Sequence, residues 1–133
     1  MQIYLKRTIS AGHRLENKEK DEQWNKKTFG KCFESIHGHN FICEIWVKGC
    51  INSDSGMVVN FNCIKDVVDR YDHKNLNDVL DEIPTAENLA MTILFALETM
   101  FVATDVRWVR IDIKIWETDN ACVEDFIVNE AVF

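Results

Sequence analysis

His37-Gly38-His39-Asn40-Phe41-Ile42-Cys43-Glu44-Ile45-Trp46-Val47-Lys48 is the stretch on which the fold turns. Side chains of a strand alternate between its two faces. His37, His39, Phe41, Cys43, Ile45 and Val47 therefore share one side. That side is apolar from position 41 onward and begins with two imidazoles. The pattern predicts a strand over 37–48 with one face on a core and a pair of histidines at the start of that face.

Upstream, Ile3, Leu5, Ile9, Ala11 and His13 share one parity, interrupted by Arg7, and predict another strand over 3–13. Residues 14–36 are polar and irregular, and read as a long functional loop. Downstream, residues 49–56 (GCINSDSG) read as a turn. Phe61, Ile64, Val67, Val68 and Tyr71 recur at helical spacing, so a helix is expected over 61–71 with Asn60 as its cap. A polar link, DHKNLNDVLDEI, leads to Pro84. Thr85 can then cap a second helix, with Glu87 in the first turn where the helix dipole favours a carboxylate. The apolar stripe of that helix runs through Leu89, Ile93, Leu94, Leu97, Met100 and Phe101. Val109, Ile111, Ile113 and Ile115 alternate with polar residues as a third strand, and a fourth is expected near 122–128. The order β-β-α-α-β-β implies an α+β domain spanning 1–133, with an antiparallel four-stranded sheet and two helices on one face. Two sheet edges and one uncovered face make self-association natural.

Hydrophobic residues make up 47% and charged residues 28% of the chain, a globular composition. The net charge of −7 comes with no basic cluster interleaved with aromatics, which argues against nucleic-acid binding. No apolar run approaches the roughly 20 residues of a spanning helix, so no membrane role is expected. The N-terminal MQIYLKRTIS lacks a signal-peptide core, and a cytoplasmic location is expected. Five cysteines without CxxC spacing read as reduced thiols, with Cys43 and Cys63 in packing positions.

The chain has four histidines, at 13, 37, 39 and 73. His37 and His39 can point the same way, and His13 ends the first strand on its apolar parity. In an antiparallel hairpin the end of strand one lies beside the beginning of strand two, so His13 can meet the pair. Three neutral imidazoles with one open position is the pattern of a catalytic zinc site. Spacing alone leaves this open beside the plainer reading of hydrogen-bonded core or surface histidines.

Four stretches resemble the 6-pyruvoyltetrahydropterin synthase and 6-carboxytetrahydropterin synthase family: Ser10-Ala11-Gly12-His13-Arg14-Leu15, His37-Gly38-His39-Asn40-Phe41, Tyr71-Asp72-His73-Lys74-Asn75-Leu76-Asn77 and Pro84-Thr85-Ala86-Glu87-Asn88-Leu89. Gly56-Met57-Val58-Val59-Asn60-Phe61 and Trp116-Glu117-Thr118 support them. The resemblance implies the tunnelling fold, assembled into rings and usually homohexamers, dimers of trimers. It implies zinc on His13, His37 and His39, and a proton-transfer pair in Asp72 and His73. It further implies a pterin anchor in Glu117, whose carboxylate can accept two hydrogen bonds from the ring edge. Thr85 and Glu87 match the helix start that lines the pterin pocket, a role compatible with capping.

One feature departs from the family. Its proton-handling cysteine precedes HGH by three or five intervening residues, whereas Cys32 precedes it by four. Glu34 instead gives E-x2-HGH, resembling the glutamate variant that substitutes for dihydroneopterin aldolase in folate synthesis. A carboxylate near pKa 4.3 and a thiol near about 8.5 differ in basicity and reach, so exchanging them can redirect which proton moves. The resemblance therefore implies a zinc-dependent lyase acting on 7,8-dihydroneopterin triphosphate, with Glu34 as acid/base and 6-hydroxymethyl-7,8-dihydropterin as product. The alternatives are 6-carboxytetrahydropterin synthesis (the queuosine route) or 6-pyruvoyltetrahydropterin synthesis (the tetrahydrobiopterin route) using Cys32, and a non-catalytic pterin-binding module.

Overall fold

The structure is a computed structural model and describes residues 1–132. Its elements follow in the order β1 (Gln2–His13), α1 (Glu22–Phe29), α2 (Lys31–Glu34), β2 (His37–Gly49), α3 (Phe61–Asp69), β3 (Lys74–Asn75), α4 (Leu76–Val79), α5 (Ala86–Ala103), β4 (Trp108–Thr118) and β5 (Ala121–Val128). The sheet order is β3-β1-β2-β4-β5. The four long strands are antiparallel neighbours, as expected, and the two-residue β3 adds a short parallel edge beside Ala11 and Gly12.

The alternation read from sequence sorts the sheet into two faces. Ile9, Phe41, Cys43, Ile45, Val47, Ile111, Ile113 and Ile115 lie on one of them, each at most 1% exposed. Ile64, Val67 and Val68 of α3 and Leu89, Ile93, Leu94, Leu97 and Phe101 of α5 join the same core. Burying each such side chain stabilises the fold by about 1.5–3 kcal/mol before entropy is counted. By length and composition α5 could cross a membrane, but that buried stripe makes it the core helix of this domain. The thiol of Cys43, deep in the core, is pushed up to about 12 by burial, and none of the five cysteines is in a disulfide.

Both expected helix caps are present. Asn60 accepts from the Asn62 N–H at 2.8 Å, and Thr85 Oγ1 accepts from the Asn88 N–H at 3.1 Å. The structure departs from expectation in the two polar segments. Residues 14–36, read as a loop, contain α1 and α2. The inward-facing residue of α1 is Asn25, 1% exposed, so apolar periodicity could not report this helix. Its amide accepts from the Asn17 N–H and donates to the carbonyls of Asn17, Lys20 and Asp21, folding the preceding turn onto the helix. The link 72–83 likewise contains β3 and α4. Helix α3 ends at Asp69, two residues short of Tyr71, and the chain turns through His73, which adopts a left-handed φ of 56°.

Arg7, the break in the apolar parity of β1, makes paired bonds of 2.8 and 2.7 Å to the Asp69 carboxylate at the end of α3. The guanidinium holds that carboxyl below its usual range. A carboxyl depressed in the folded state stabilises it fully above the unfolded pKa, about 3.9, and loses that contribution as pH falls through the folded value. Asp69→Asn should therefore lower stability at neutral pH and flatten its fall below about pH 4, as read from melting temperature against pH. Gly49, at the end of β2, lies against the neighbouring backbone. A Cβ there would come 2.6 Å from the Arg107 carbonyl oxygen and 3.2 Å from Trp108 Cα. Gly49→Ala should cost about 1–3 kcal/mol in urea unfolding.

Candidate metal centre and active site

The β1–β2 ladder pairs His13 with His37 and Ala11 with His39. Because all three histidines fall on the core-side parity, their rings converge at one end of the core face. Ring centroids are 4.6 Å apart for His13–His37, 5.1 Å for His13–His39 and 5.0 Å for His37–His39. Phe41 forms the floor beneath His13 and His39.

The outer nitrogens fix the tautomers. His13 Nδ1 lies 2.8 Å from the Pro84 carbonyl oxygen, and His37 Nδ1 lies 3.2 Å from that of Ser35. A carbonyl only accepts, so each Nδ1 carries the proton and donates, leaving a lone pair on Nε2. The Nε2 atoms of His13 and His37 are 3.0 Å apart, and His39 Nε2 is buried with no hydrogen-bond partner. Glu117 Oε1 lies 3.6 Å from His13 Nε2 and 3.7 Å from His39 Nε2. The Nε2 lone pairs of His13 and His37 face each other at 3.0 Å without a proton between them, an arrangement that suits a cation. His13 is poorly suited to supply it as a proton, because burial lowers its pKa more than the Pro84 bond raises it.

The spacing fits a metal ion. The three histidine ligand atoms lie within 4.8 Å of one another. Metal–nitrogen bonds of about 2.0–2.1 Å in tetrahedral geometry would set donors roughly 3.3–3.4 Å apart, and the His13–His37 separation of 3.0 Å is near that. The carbonyl partners of His13 and His37 are the outer bonds that orient metal-ligating imidazoles. Pro84 and Ser35 were not legible as site residues, since they act through backbone oxygens.

The other sequence-predicted residues are distributed around this cluster. Asp72 accepts from the Ser10 N–H at 2.8 Å and lies 3.0 Å from His73 Nδ1, so the two form a pair. The Ser10 bond, first of all, holds the Asp72 carboxyl below its usual range. The His73 ring is 82% exposed and borders a shallow depression with Ser10, Gly12, Gly38, Asn40 and His39. Within one chain the pair does not join the converging donors.

Cys32 is half-buried and Glu34 exposed on α2, directly upstream of His37. Two bonds draw α2 to the end of β1: Leu15 N–H to the Cys32 carbonyl at 2.8 Å, and Arg14 Nε to the Phe33 carbonyl at 2.6 Å. Arg14 is in turn clasped by Asn77, whose amide accepts from the Arg14 N–H and donates to the Arg14 carbonyl. Arg14 and Asn77 stood inside motifs quoted from the sequence, yet nothing there revealed that they meet. Thr85 caps α5 while Glu87 is exposed on its first turn, both just after Pro84.

Comparisons with known proteins bear on the family and the fold. A family model described as 6-pyruvoyl tetrahydropterin synthase matches residues 2–125. The 6-pyruvoyl tetrahydrobiopterin synthase of Dictyostelium discoideum is 35% identical over 121 residues, covering 84% of this chain and 85% of that protein. The dihydroneopterin monophosphate aldolase of Pyrococcus furiosus is 32% identical over 126 residues, covering 92% and 94%. The solved structure of 6-pyruvoyl tetrahydropterin synthase from Caenorhabditis elegans superimposes with a TM-score of 0.76 at 27% identity, covering 98% of this chain and 96% of that one.

A metal that binds the folded chain stabilises it by mass action, about 2.7 kcal/mol at a hundredfold excess over Kd. Removing metal with a chelator should lower the melting temperature, and returning a divalent ion should restore it. His39→Ala should abolish that metal-dependent increment in the same melting experiment.

Proposed function

The chain belongs to the 6-pyruvoyl tetrahydropterin synthase family, and we propose that it is a zinc-dependent lyase cleaving the side chain of 7,8-dihydroneopterin triphosphate to 6-hydroxymethyl-7,8-dihydropterin. The observation that carries this reading is the convergence of three imidazoles whose ligand atoms lie within 4.8 Å of one another. Zinc on His13, His37 and His39 supplies Lewis acidity towards the side-chain oxygens.

The chain's own residues do the rest. Glu117 takes the pterin edge by accepting two N–H bonds, and the Thr85–Glu87 turn flanks the ring. In the cleavage, a base removes the proton from the hydroxyl on the second side-chain carbon. The bond between the first and second carbons then breaks, its electrons pass into the ring, and a proton returns to the first carbon. Glu34, on α2 beside the histidines, is assigned as this acid/base. Asp72, 3.0 Å from His73 Nδ1, orients that ring, giving a second proton carrier. The name of the Pyrococcus furiosus relative supports an aldol-type cleavage within this family. The 6-pyruvoyl tetrahydrobiopterin synthases among the relatives favour the second reading, in which Cys32 handles the proton and the product is a pyruvoyl- or carboxytetrahydropterin. The family resemblance implies a homo-oligomer, a hexamer built as a dimer of trimers, in which the exposed Asp72–His73 pair serves another copy.

Mass analysis of products from zinc-loaded protein and 7,8-dihydroneopterin triphosphate tests the assignment. 6-Hydroxymethyl-7,8-dihydropterin is expected as the main product, and Glu34→Gln should lower its formation by about 10²–10⁴-fold while Cys32→Ala leaves it within a few-fold. Pyruvoyl- or carboxytetrahydropterin would establish the Cys32 chemistry instead. Tight pterin binding without turnover would leave a binding module.

A further inference from the structure

Glu117, assigned above to the pterin edge, stands where the sheet holds it least. The β2–β4 ladder ends with Ile42 opposite Trp116, and the β4–β5 ladder passes from the Trp116–Cys122 pair to the Thr118–Ala121 pair. Glu117 is therefore the extra residue of a bulge, without a ladder partner on either side among the described residues. A bulge re-aims the side chain it carries, and its unpaired residue is free to turn unless another contact fixes it. Accepting two N–H bonds from one planar edge demands an aligned carboxylate.

The residue before it is fixed. Trp116 falls on the face opposite the core, in the parity of Arg110, Asp112 and Lys114, whereas Glu117 continues the buried parity of Ile111, Ile113 and Ile115. The Trp116 indole donates from Nε1 to Glu44 Oε1 at 2.8 Å, and Lys114 Nζ lies 4.6 Å from the ring centroid. Glu44 is itself held by Tyr4, whose hydroxyl donates to Oε2 at 2.5 Å. Tyr4, before any other group, keeps the Glu44 carboxyl below its usual range, so the indole meets a charged acceptor at neutral pH. The chain Tyr4–Glu44–Trp116 crosses β1, β2 and β4 and ends one residue from Glu117. Successive side chains of a strand project to opposite faces. Pinning the indole on one face therefore fixes the backbone rotation that sends Glu117 out of the other.

We propose that Glu44, acting through Trp116, is a positioning residue for the pterin anchor: its bond to the indole sets the direction of the Glu117 carboxylate. The inference rests on the pterin-anchoring reading above and adds the device that aims the anchor. By parity Glu44 lies on the face opposite the three histidines, so it acts on the bound ring only through the strand.

The test titrates zinc-loaded, full-length protein in its native assembly with unsubstituted pterin, and reads Kd by isothermal titration calorimetry. Trp116→Phe keeps an aromatic ring and loses the N–H, while Glu44→Ala loses the acceptor. Each should weaken pterin binding about tenfold, the loss expected when charged hydrogen bonds are misaligned. The double variant should bind no more weakly than either single one, because both remove the same bond. Glu44→Gln retains an acceptor oxygen and should stay within about threefold of wild type. In a Glu117→Ala background, itself weakened, Glu44→Ala should cause no further loss, an outcome that a general loosening of the sheet would not give. Wild-type affinity in Trp116→Phe and Glu44→Ala, beside a weakened Glu117→Ala, overturns the proposal and leaves the anchor standing. An equal loss with and without Glu117 does the same. Wild-type affinity in Glu117→Ala overturns the anchor and the positioning together.

Discussion

The antiparallel register of β1 against β2 is the constraint on which the rest of this molecule depends. With Ile9 opposite Phe41 and Ala11 opposite His39, the core rows of both strands coincide, and His13 falls opposite His37. A slip of one residue would send a whole strand's apolar set to the other face, so the burial of Ile9, Phe41, Cys43 and Ile45 enforces the register. The metal donors inherit their placement from that burial. They are the last members of core rows, and the hydrophobic effect that holds the rows in step also holds the imidazoles together. Phe41 connects the two roles, being fully buried and in edge contact with His13 and His39.

Around that end of the hairpin, segments distant in sequence are tied down through backbone groups. The carbonyl before the cap of α5 holds His13, 71 positions away. Asn77 clasps Arg14, and Arg14 and Leu15 hold α2, which brings Glu34 and Cys32 to the same wall. Asn25 keeps the preceding turn folded with four bonds to backbone groups in a site closed to water. Buried polar groups of this kind cost stability unless they are satisfied, and these are, which makes the loop a shaped wall. The rigid elements position the metal ligands, while the irregular segment carries the candidate acid/base residues, a division common to catalytic sites.

The opposite face of the sheet has a different character. Glu44 accepts from Tyr4 and from Trp116 Nε1, Lys114 pairs with Glu124, and Arg110 holds Asp112 while its guanidinium lies 4.0 Å over the Phe126 ring. All but the Arg110–Asp112 pair, which lies within β4, cross between strands. The Asp72–His73 pair sits at the β1 edge of the sheet, held by Ser10. Its exposed His73 ring does not join the three histidines within one chain.

Most of the architecture was legible because its signals are local. Strand parity, the helical stripes, and the caps Asn60 and Thr85 each depend on residues a few positions apart, and they gave the four long strands, α3 and α5. The meeting of His13 with His37 and His39 followed from parity plus the geometry of a hairpin, so the donor set was readable before any coordinates. Helix α1 escaped because an asparagine occupies its inward position, and β3 and α4 because they are too short to show a period. What only the tertiary structure decided is set by long-range contacts: the Pro84 carbonyl on His13, the Asn77 clasp on Arg14, Asp72 and His73 at the β1 edge, and Glu117 brought against the histidines. Spacing along a chain determines which way a side chain points, but which groups come within bonding distance depends on how separated segments pack.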